Sequence, residues 1–167
     1  MDKFEKLFAE FPCTLTDELV KQNAAAILAQ HTEENNNRDV WMQCLNQIDL
    51  TTLNGEDTTA KIAQMAERVN DFDGNFPGVP NVAAMCVYPA LVETAKEVLT
   101  EPIGIAAVAA GFPASQTFIE IKVAEAAMAV AAGATEIDIV ISIGKFLEGN
   151  YQEVYDEISE IKAAIRD

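Results

Sequence analysis

The sequence has little of what metal sites and nucleic-acid sites require. It contains one histidine and three cysteines (Cys13, Cys44 and Cys86), and their spacing fits no zinc site. Lysine and arginine number 11 against 27 aspartates and glutamates, which gives a formal net charge of -16. Phosphate backbones and anionic lipid surfaces are bound through basic side chains, so this charge balance predicts no nucleic-acid partner and no membrane partner.

Long apolar runs and cofactor motifs are also missing. No stretch approaches the ~18 consecutive apolar residues of a membrane span, and the charged N-terminus has no signal-peptide core. No G-x-G-x-x-G turn follows an apolar run, and there is no Walker sequence. We therefore predict a cytoplasmic protein with reduced thiols, without a metal or another cofactor.

What is present is a chain of 167 residues that is 50% apolar, enough for a sizeable core. Its first part has helical character, with Thr16 or Asp17 as an N-cap and a polar break that begins at His31. From residue 46 the pattern changes. We predict an N-terminal helical extension over residues 1–45 and a second domain over residues 46–167.

In the second region, each of four short apolar runs precedes an amphipathic segment. Such alternation predicts a parallel sheet covered by helices. Thr117 with Glu120 and Asn150 with Glu153 fit capping boxes at the last two helices, and Gly133 is placed to end the third. The predicted strands cover residues 47–53, 81–89, 103–113 and 136–142.

Alternation within the strands favours a barrel over an open doubly wound sheet. In the fourth strand Asp138 lies on the opposite face from Ile137 and Ile139, and in the first strand Thr51 and Leu53 share one face. Polar groups on one face of two strands indicate an inward-facing layer near a site. TIM barrels build their active sites at the C-terminal ends of such strands.

Asp138 raises a specific question, because it stands inside a run typical of a buried strand. A buried carboxylate without a partner is costly, so Asp138 needs a partner or a chemical role. One interpretation is a core carboxylate that the backbone or a neighbouring strand satisfies. The other is a catalytic group.

Five sequence strings occur in a fixed order and together resemble the deoxyribose-phosphate aldolases, over roughly residues 45–167. The strings are "DLTTLN" (49–54), "AAMCVYP" (83–89), "GFP" (111–113), "KVAEA" (122–126) and "GATEIDIVISIG" (133–144). The resemblance implies a parallel (βα)8 TIM barrel. It also implies a class I aldolase, which cleaves 2-deoxy-D-ribose 5-phosphate reversibly to glyceraldehyde 3-phosphate and acetaldehyde through a lysine Schiff base, without a cofactor.

The resemblance also assigns site residues. It places the proton-transferring aspartate of the family on Asp138, the substrate-lining residues on Thr51 and Leu53, and the cysteine of the second strand on Cys86. Taken by itself, Thr51 is equally a β-branched strand former, and Cys86 a small buried apolar residue. The expected partners are a sugar phosphate and a small aldehyde.

The resemblance further implies that the Schiff-base lysine, its helper lysine and the phosphate loops belong to later strands. The chain then contains only about four βα units, a half-barrel, and is expected to be inactive alone. Lys145 follows the fourth strand and could reach a strand mouth, whereas Lys122 lies on a predicted helix.

Two explanations for a half-barrel remain open at this point. The sequence is either a truncated product of a longer gene, whose C-terminal half is missing, or a natural half-barrel that needs a partner. Exposed strand edges and an uncovered face predict self-association, for instance as a dimer. The alternative function is a non-catalytic half-barrel that serves binding or assembly.

Overall fold

Four parallel strands form one sheet in the order in which they occur along the chain. The computed structural model describes residues 3–165, and its strands are β1 (Asp49–Thr51), β2 (Ala84–Val87), β3 (Gly104–Ala109) and β4 (Glu136–Ile139). Each strand is parallel to its sequence neighbour. The order β1–β2–β3–β4 contains no reversal, as in a barrel segment, whereas a doubly wound sheet has a switch point.

A helix or a pair of helices follows each strand, as the alternation predicts. The helices are α1 (Lys3–Glu10), α2 (Asp17–Asn35), α3 (Arg38–Leu45), α4 (Thr59–Asn70), α5 (Phe72–Asn75), α6 (Val92–Val98), α7 (Ile119–Ala132), α8 (Ile143–Leu147) and α9 (Tyr151–Ala164). A short 3-10 helix, Pro89–Leu91, precedes α6. The strands are shorter than the predicted apolar runs, and α8 occupies a stretch for which the sequence predicted no helix.

The main core lies between the sheet and the helices. Ile62 and Ala66 of α4 are fully buried there, together with Met85 and Val87 of β2. Ile137 of β4 packs against this core, and Ile139 packs against a second cluster under α7 and α9. The predicted alternation in the fourth strand is therefore correct: its isoleucines face the helices and Asp138 faces the other way.

The two predicted capping boxes are wrong. Phe118, not Thr117, is the N-cap of α7, and it makes no side-chain cap hydrogen bond. Asn150 is the N-cap of α9, but its backbone is not extended as a capping box requires, and its amide donates to Glu148 at 3.2 Å. The predicted end of α7 is correct, because Gly133 adopts a left-handed φ of 114° that favours glycine.

Contacts divide the chain into one unit that ends at Cys44 and another that begins at Leu45. Within the first unit Thr16 caps α2, since its hydroxyl accepts a hydrogen bond from the backbone N–H of Leu19 at 3.2 Å. The polar break predicted over residues 31–39 is confined to Asn36 and Asn37, because α2 continues to Asn35 and α3 begins at Arg38. No helix within residues 3–165 is long and apolar enough to cross a membrane.

Candidate active site

The four residues that the sequence singles out lie at or just after the strands, and the register brings them to one face of the sheet. Thr51 of β1 is aligned with Cys86 of β2, and Asp138 of β4 is aligned with Val108 of β3. Cys86 and Val108 belong to an apolar cluster on the face opposite the helices, and Leu53 packs against it. We call this surface the inner face.

A thiol and a carboxylate meet on the inner face. The Cys86 thiol donates to Oδ2 of Asp138 across a sulfur–oxygen distance of 3.7 Å, and Cys86 is 3% exposed. Burial raises the pKa of the Cys86 thiol, and the negative charge of Asp138 raises it further, while the neighbouring Thr51 side chain acts in the opposite direction. Cys86 is therefore a neutral thiol near neutral pH.

Asp138 is exposed, so the prediction from the sequence of a carboxylate inside a buried strand is wrong. The reason lies in the sheet: β4 is an edge strand, so Asp138 has a neighbouring strand on one side only. Asp49 of β1 and Glu136 of β4 are exposed on the same face. The inner face thus presents carboxylates along both edges around a buried apolar centre.

The loop after β1 is fixed by Asp57, which the sequence analysis did not identify. Its carboxylate accepts hydrogen bonds from the Thr52 hydroxyl at 2.8 Å and the Asn54 backbone N–H at 3.0 Å, and it pairs with Lys61. The ammonium of Lys61 is the main cause that lowers the pKa of Asp57 to about 2. These contacts hold the segment that carries Thr51 and Leu53.

A buried polar cluster lies between β4 and the helices. Lys122 of α7 is 1% exposed; it donates to Oγ of Ser142 at 2.6 Å and to Glu157 of α9 at 3.2 Å. The Ser142 hydroxyl donates to Glu157 at 2.6 Å. Burial raises the pKa of Glu157, but hydrogen bonds from Lys145, Ser142 and Lys122 outweigh it and leave that pKa lowered. The signal in the sequence that could have indicated this cluster is the position of Lys122 and Glu157 on otherwise apolar helix faces.

Lys145 also forms ion pairs in this cluster. Its ammonium lies 2.8 Å from carboxylate oxygens of both Glu153 and Glu157. Hydrogen bonds to these two carboxylates raise the pKa of Lys145 above its usual value. A class I aldolase needs the opposite, an amine whose pKa is lowered so that it can attack a carbonyl.

No lysine between residues 3 and 165 lies on a strand of the sheet. Each one belongs to a helix, at positions 3, 6, 21, 61, 96, 122, 145 and 162. Over the same residues, no three histidine, cysteine, aspartate or glutamate side chains gather in a way that could hold a metal ion. The inner face of the described chain offers carboxylates, a thiol and hydroxyls.

A comparison with models of protein families identifies the family of this chain. A family model described as "DeoC/LacD family aldolase" matches residues 43–166. The chain belongs to the DeoC/LacD aldolase family. TIM barrels build their active sites at the C-terminal ends of their strands, and Thr51 and Asp138 lie towards those ends of β1 and β4.

Curated relatives of this DeoC/LacD chain carry a more specific name. Human deoxyribose-phosphate aldolase is 35% identical over 158 residues, which cover 87% of this chain and 49% of the human protein. The mouse deoxyribose-phosphate aldolase is 34% identical over 165 residues, covering 87% and 52%. The chain spans about half the length of the curated relatives it matches.

Solved structures agree on the fold. The structure of an aldolase called QR15 superposes with a TM-score of 0.63 at 26% identity, covering 72% of this chain and 50% of that one. A tetrameric deoxyribose phosphate aldolase from Aeropyrum pernix gives a TM-score of 0.60 at 20% identity, with coverages of 80% and 54%. The sheet with its helices is thus a TIM-barrel-type α/β fold, represented here by four βα units.

Proposed function

We propose that this chain provides the first half of a deoxyribose-phosphate aldolase barrel, in which Asp138 transfers protons during class I chemistry. The observation that carries the proposal is the position of Asp138. Its carboxylate is exposed on the inner face and hydrogen-bonded to Cys86, in a chain of the DeoC/LacD family. The names of the human and mouse relatives support this substrate.

In the proposed reaction a lysine amine attacks the aldehyde carbon of open-chain 2-deoxyribose 5-phosphate. The resulting carbinolamine gains a proton on its hydroxyl, loses water and becomes an imine. Loss of the proton of the C3 hydroxyl then breaks the C2–C3 bond, which releases glyceraldehyde 3-phosphate and leaves an enamine. Protonation and hydrolysis of the enamine release acetaldehyde. Asp138, with a water molecule, would serve as the acid and base of these steps.

Thr51, Leu53 and Cys86 would line the substrate in this proposal. Cys86 would contribute a small neutral side chain, since its raised pKa disfavours the thiolate. The lysine nucleophile would come from chain outside residues 3–165, because the lysines within that range lie on helices and Lys122 and Lys145 are ion-paired. The partners would be the sugar phosphate, the aldehyde and a complementary half-barrel.

The same proposal includes a second half-barrel that covers the inner face. A second half-barrel would pair with the open edges of β1 and β4 and bury the apolar centre around Cys86. Without it, copies of this chain would associate through the same edges. Asp49, Glu136 and Asp138 would oppose that self-association through like-charge repulsion.

A matched pair of variants tests the role of Asp138. We expect Asp138→Asn, in a fusion of this chain to the remaining half of the human relative, to lower kcat by about 10²-fold or more, since it removes an acid–base group. Glu136→Gln alters an exposed carboxylate on the same strand and face, and we expect little change. The measurement is steady-state cleavage of deoxyribose 5-phosphate. Equal effects of the two substitutions would contradict the assignment, and an active chain without the fusion partner would contradict the half-barrel proposal.

A further inference from the structure

A cavity lies at the C-terminal ends of β3 and β4. The cavity has a volume of about 450 Å³ and lies between the loop at residues 115–118 and the segment after β4, from which Ser142, Gly144, Lys145 and Glu148 line it. Its volume is typical of small-molecule sites, and the carboxyl ends of parallel strands are where α/β folds bind ligands. None of the residues assigned to the proposed aldol chemistry lines it.

The walls of this cavity are held by buried side chains. Ser115 is 4% exposed, and its hydroxyl donates to the carbonyl of Val140 at 3.0 Å. Ser115 also has a φ of 54°, an unfavourable conformation for a residue with a Cβ, of a kind that clusters at ligand sites. Opposite it, Ser142 is fixed between the buried Lys122 and Glu157. These contacts fix Ser115 and Ser142 in the wall of the cavity.

Free hydrogen-bonding groups complete the lining. Within residues 3–165 the side chains of Gln116 and Thr117 have no hydrogen-bond partner, and both line the cavity. An amide and a hydroxyl together offer donors and acceptors. Phe118, which is 77% exposed, adds an apolar ring to the same lining. A ligand with several hydroxyl groups and an apolar face matches this combination.

Charge argues against an anionic ligand. Lys145 is the cation in the lining, and it is already paired with Glu153 and Glu157. Glu148 places a carboxylate in the lining, and the whole chain carries a net charge of -16. A phosphate or carboxylate would therefore find no uncommitted cation here and would meet like charges nearby.

We propose that this cavity binds a neutral, hydroxyl-rich small molecule of the sugar or polyol class. The proposal does not depend on the aldol chemistry, because it uses other residues and a ligand without a phosphate. Gln116 and Thr117 exchange hydrogen bonds with the hydroxyls of the ligand, and Phe118 covers its apolar face. Lys122 is a positioning residue that holds Ser142 in the wall.

The test is a titration of the 167-residue chain with D-ribose, followed by saturation-transfer NMR, beside a titration with ribose 5-phosphate. We expect saturable binding of ribose and weaker binding of the phosphate. Gly144→Leu fills the cavity, and we expect at least about tenfold weaker binding of ribose. Gly144→Ala is the matched control: its Cβ lies 3.8 Å from the amide nitrogen of Gln116, an ordinary contact, and should leave affinity nearly unchanged.

Two further variants keep the test decisive. Gln116→Ala changes an exposed loop residue, and we expect about fivefold weaker binding of ribose from the lost hydrogen bond. Asp138→Asn should leave ribose binding unchanged. The proposal is overturned by a linear, non-saturating titration, by tighter binding of ribose 5-phosphate than of ribose, or by ribose binding that responds to Asp138→Asn and not to Gln116→Ala.

Discussion

At the scale of single residues, the inner face combines a carboxylate that is open to water with a thiol that is not. Asp138 lies on an edge strand and Cys86 on a central one, so their hydrogen bond of 3.7 Å crosses from an exposed position to a buried one. A carboxylate that contacts both solvent and the lining of a site can exchange protons through water. The thiol, held neutral, adds apolar surface beside it.

The reactivity of Cys86 provides a direct test of this pair. We expect iodoacetamide to alkylate the exposed Cys13 and Cys44 quickly and Cys86 slowly at neutral pH, because burial and Asp138 raise the pKa of the Cys86 thiol. Asp138→Asn should accelerate the alkylation of Cys86, and Thr51→Val should slow it, since Thr51 lowers that pKa. Peptide mass spectrometry after timed alkylation gives the rates. Rates that change in the same direction for both variants would contradict the geometry.

The assignment of Thr51, Leu53, Cys86 and Asp138 to a site stays a prediction, and the environment of these residues could not be predicted from the sequence. Their selection rested on the strings "DLTTLN", "AAMCVYP" and "EIDIV" and on the alternation within strands, both of which are local. The exposure of Asp138 depends on which strands border β4, and this is a property of the assembled sheet. A run of isoleucine and valine predicts a strand but does not reveal whether that strand lies at an edge.

At the scale of elements, the hydrophobic pattern of the sequence predicted the parallel sheet and the buried faces of the helices. It did not predict the polar contacts between elements. The Lys122–Ser142–Glu157 cluster joins α7, the loop after β4 and α9, at sequence separations of 15 to 35 residues. No local pattern pairs residues at such separations. The capping boxes failed for a related reason, since a matching spacing does not ensure the extended backbone that an N-cap needs.

The loop between β1 and α4 supports a prediction about pH. The pKa of Asp57 is lowered from 3.8 to about 2 in the folded protein. A carboxyl whose folded pKa is lowered stabilises the fold above its unfolded pKa, and this stabilisation is lost as pH falls from about 3.8 towards about 2. We expect the free energy of unfolding to fall over that window in the unmodified chain.

Asp57→Asn provides the comparison for this pH effect. The amide has no charge to titrate, so the variant should be less stable near neutral pH and should lose less stability over the same acid window. Urea denaturation at several acid pH values measures both chains. Asp73→Asn changes an exposed aspartate on the short helix α5 and serves as the control. Parallel pH profiles for the unmodified chain and Asp57→Asn would contradict the role given to Asp57.

At the scale of the whole molecule, the sheet has two open edges and an inner face whose rim is acidic. Five short strings in order were enough to predict the family, which the family model over residues 43–166 confirms. The domain boundary between residues 45 and 46 stays a prediction.

The open strand edges favour self-association of the chain, whereas its net charge of -16 opposes it. Added salt weakens the charge repulsion. We expect the 167-residue chain to self-associate at tens of micromolar, and more strongly as added salt screens the repulsion between copies. Sedimentation velocity at low and high ionic strength measures this. A monodisperse monomer at both ionic strengths would show that the edges of β1 and β4 do not pair.

The most direct test of the proposed chemistry is intact mass after incubation with acetaldehyde and borohydride. Borohydride reduces an imine to a stable secondary amine, so a lysine that forms a Schiff base gains one ethyl group. The account predicts no site-specific adduct on the 167-residue chain, and one adduct in the fusion with the remaining half of the human relative, on a lysine of that second half. A site-specific adduct on Lys145, or on any other lysine of this chain, would contradict the account.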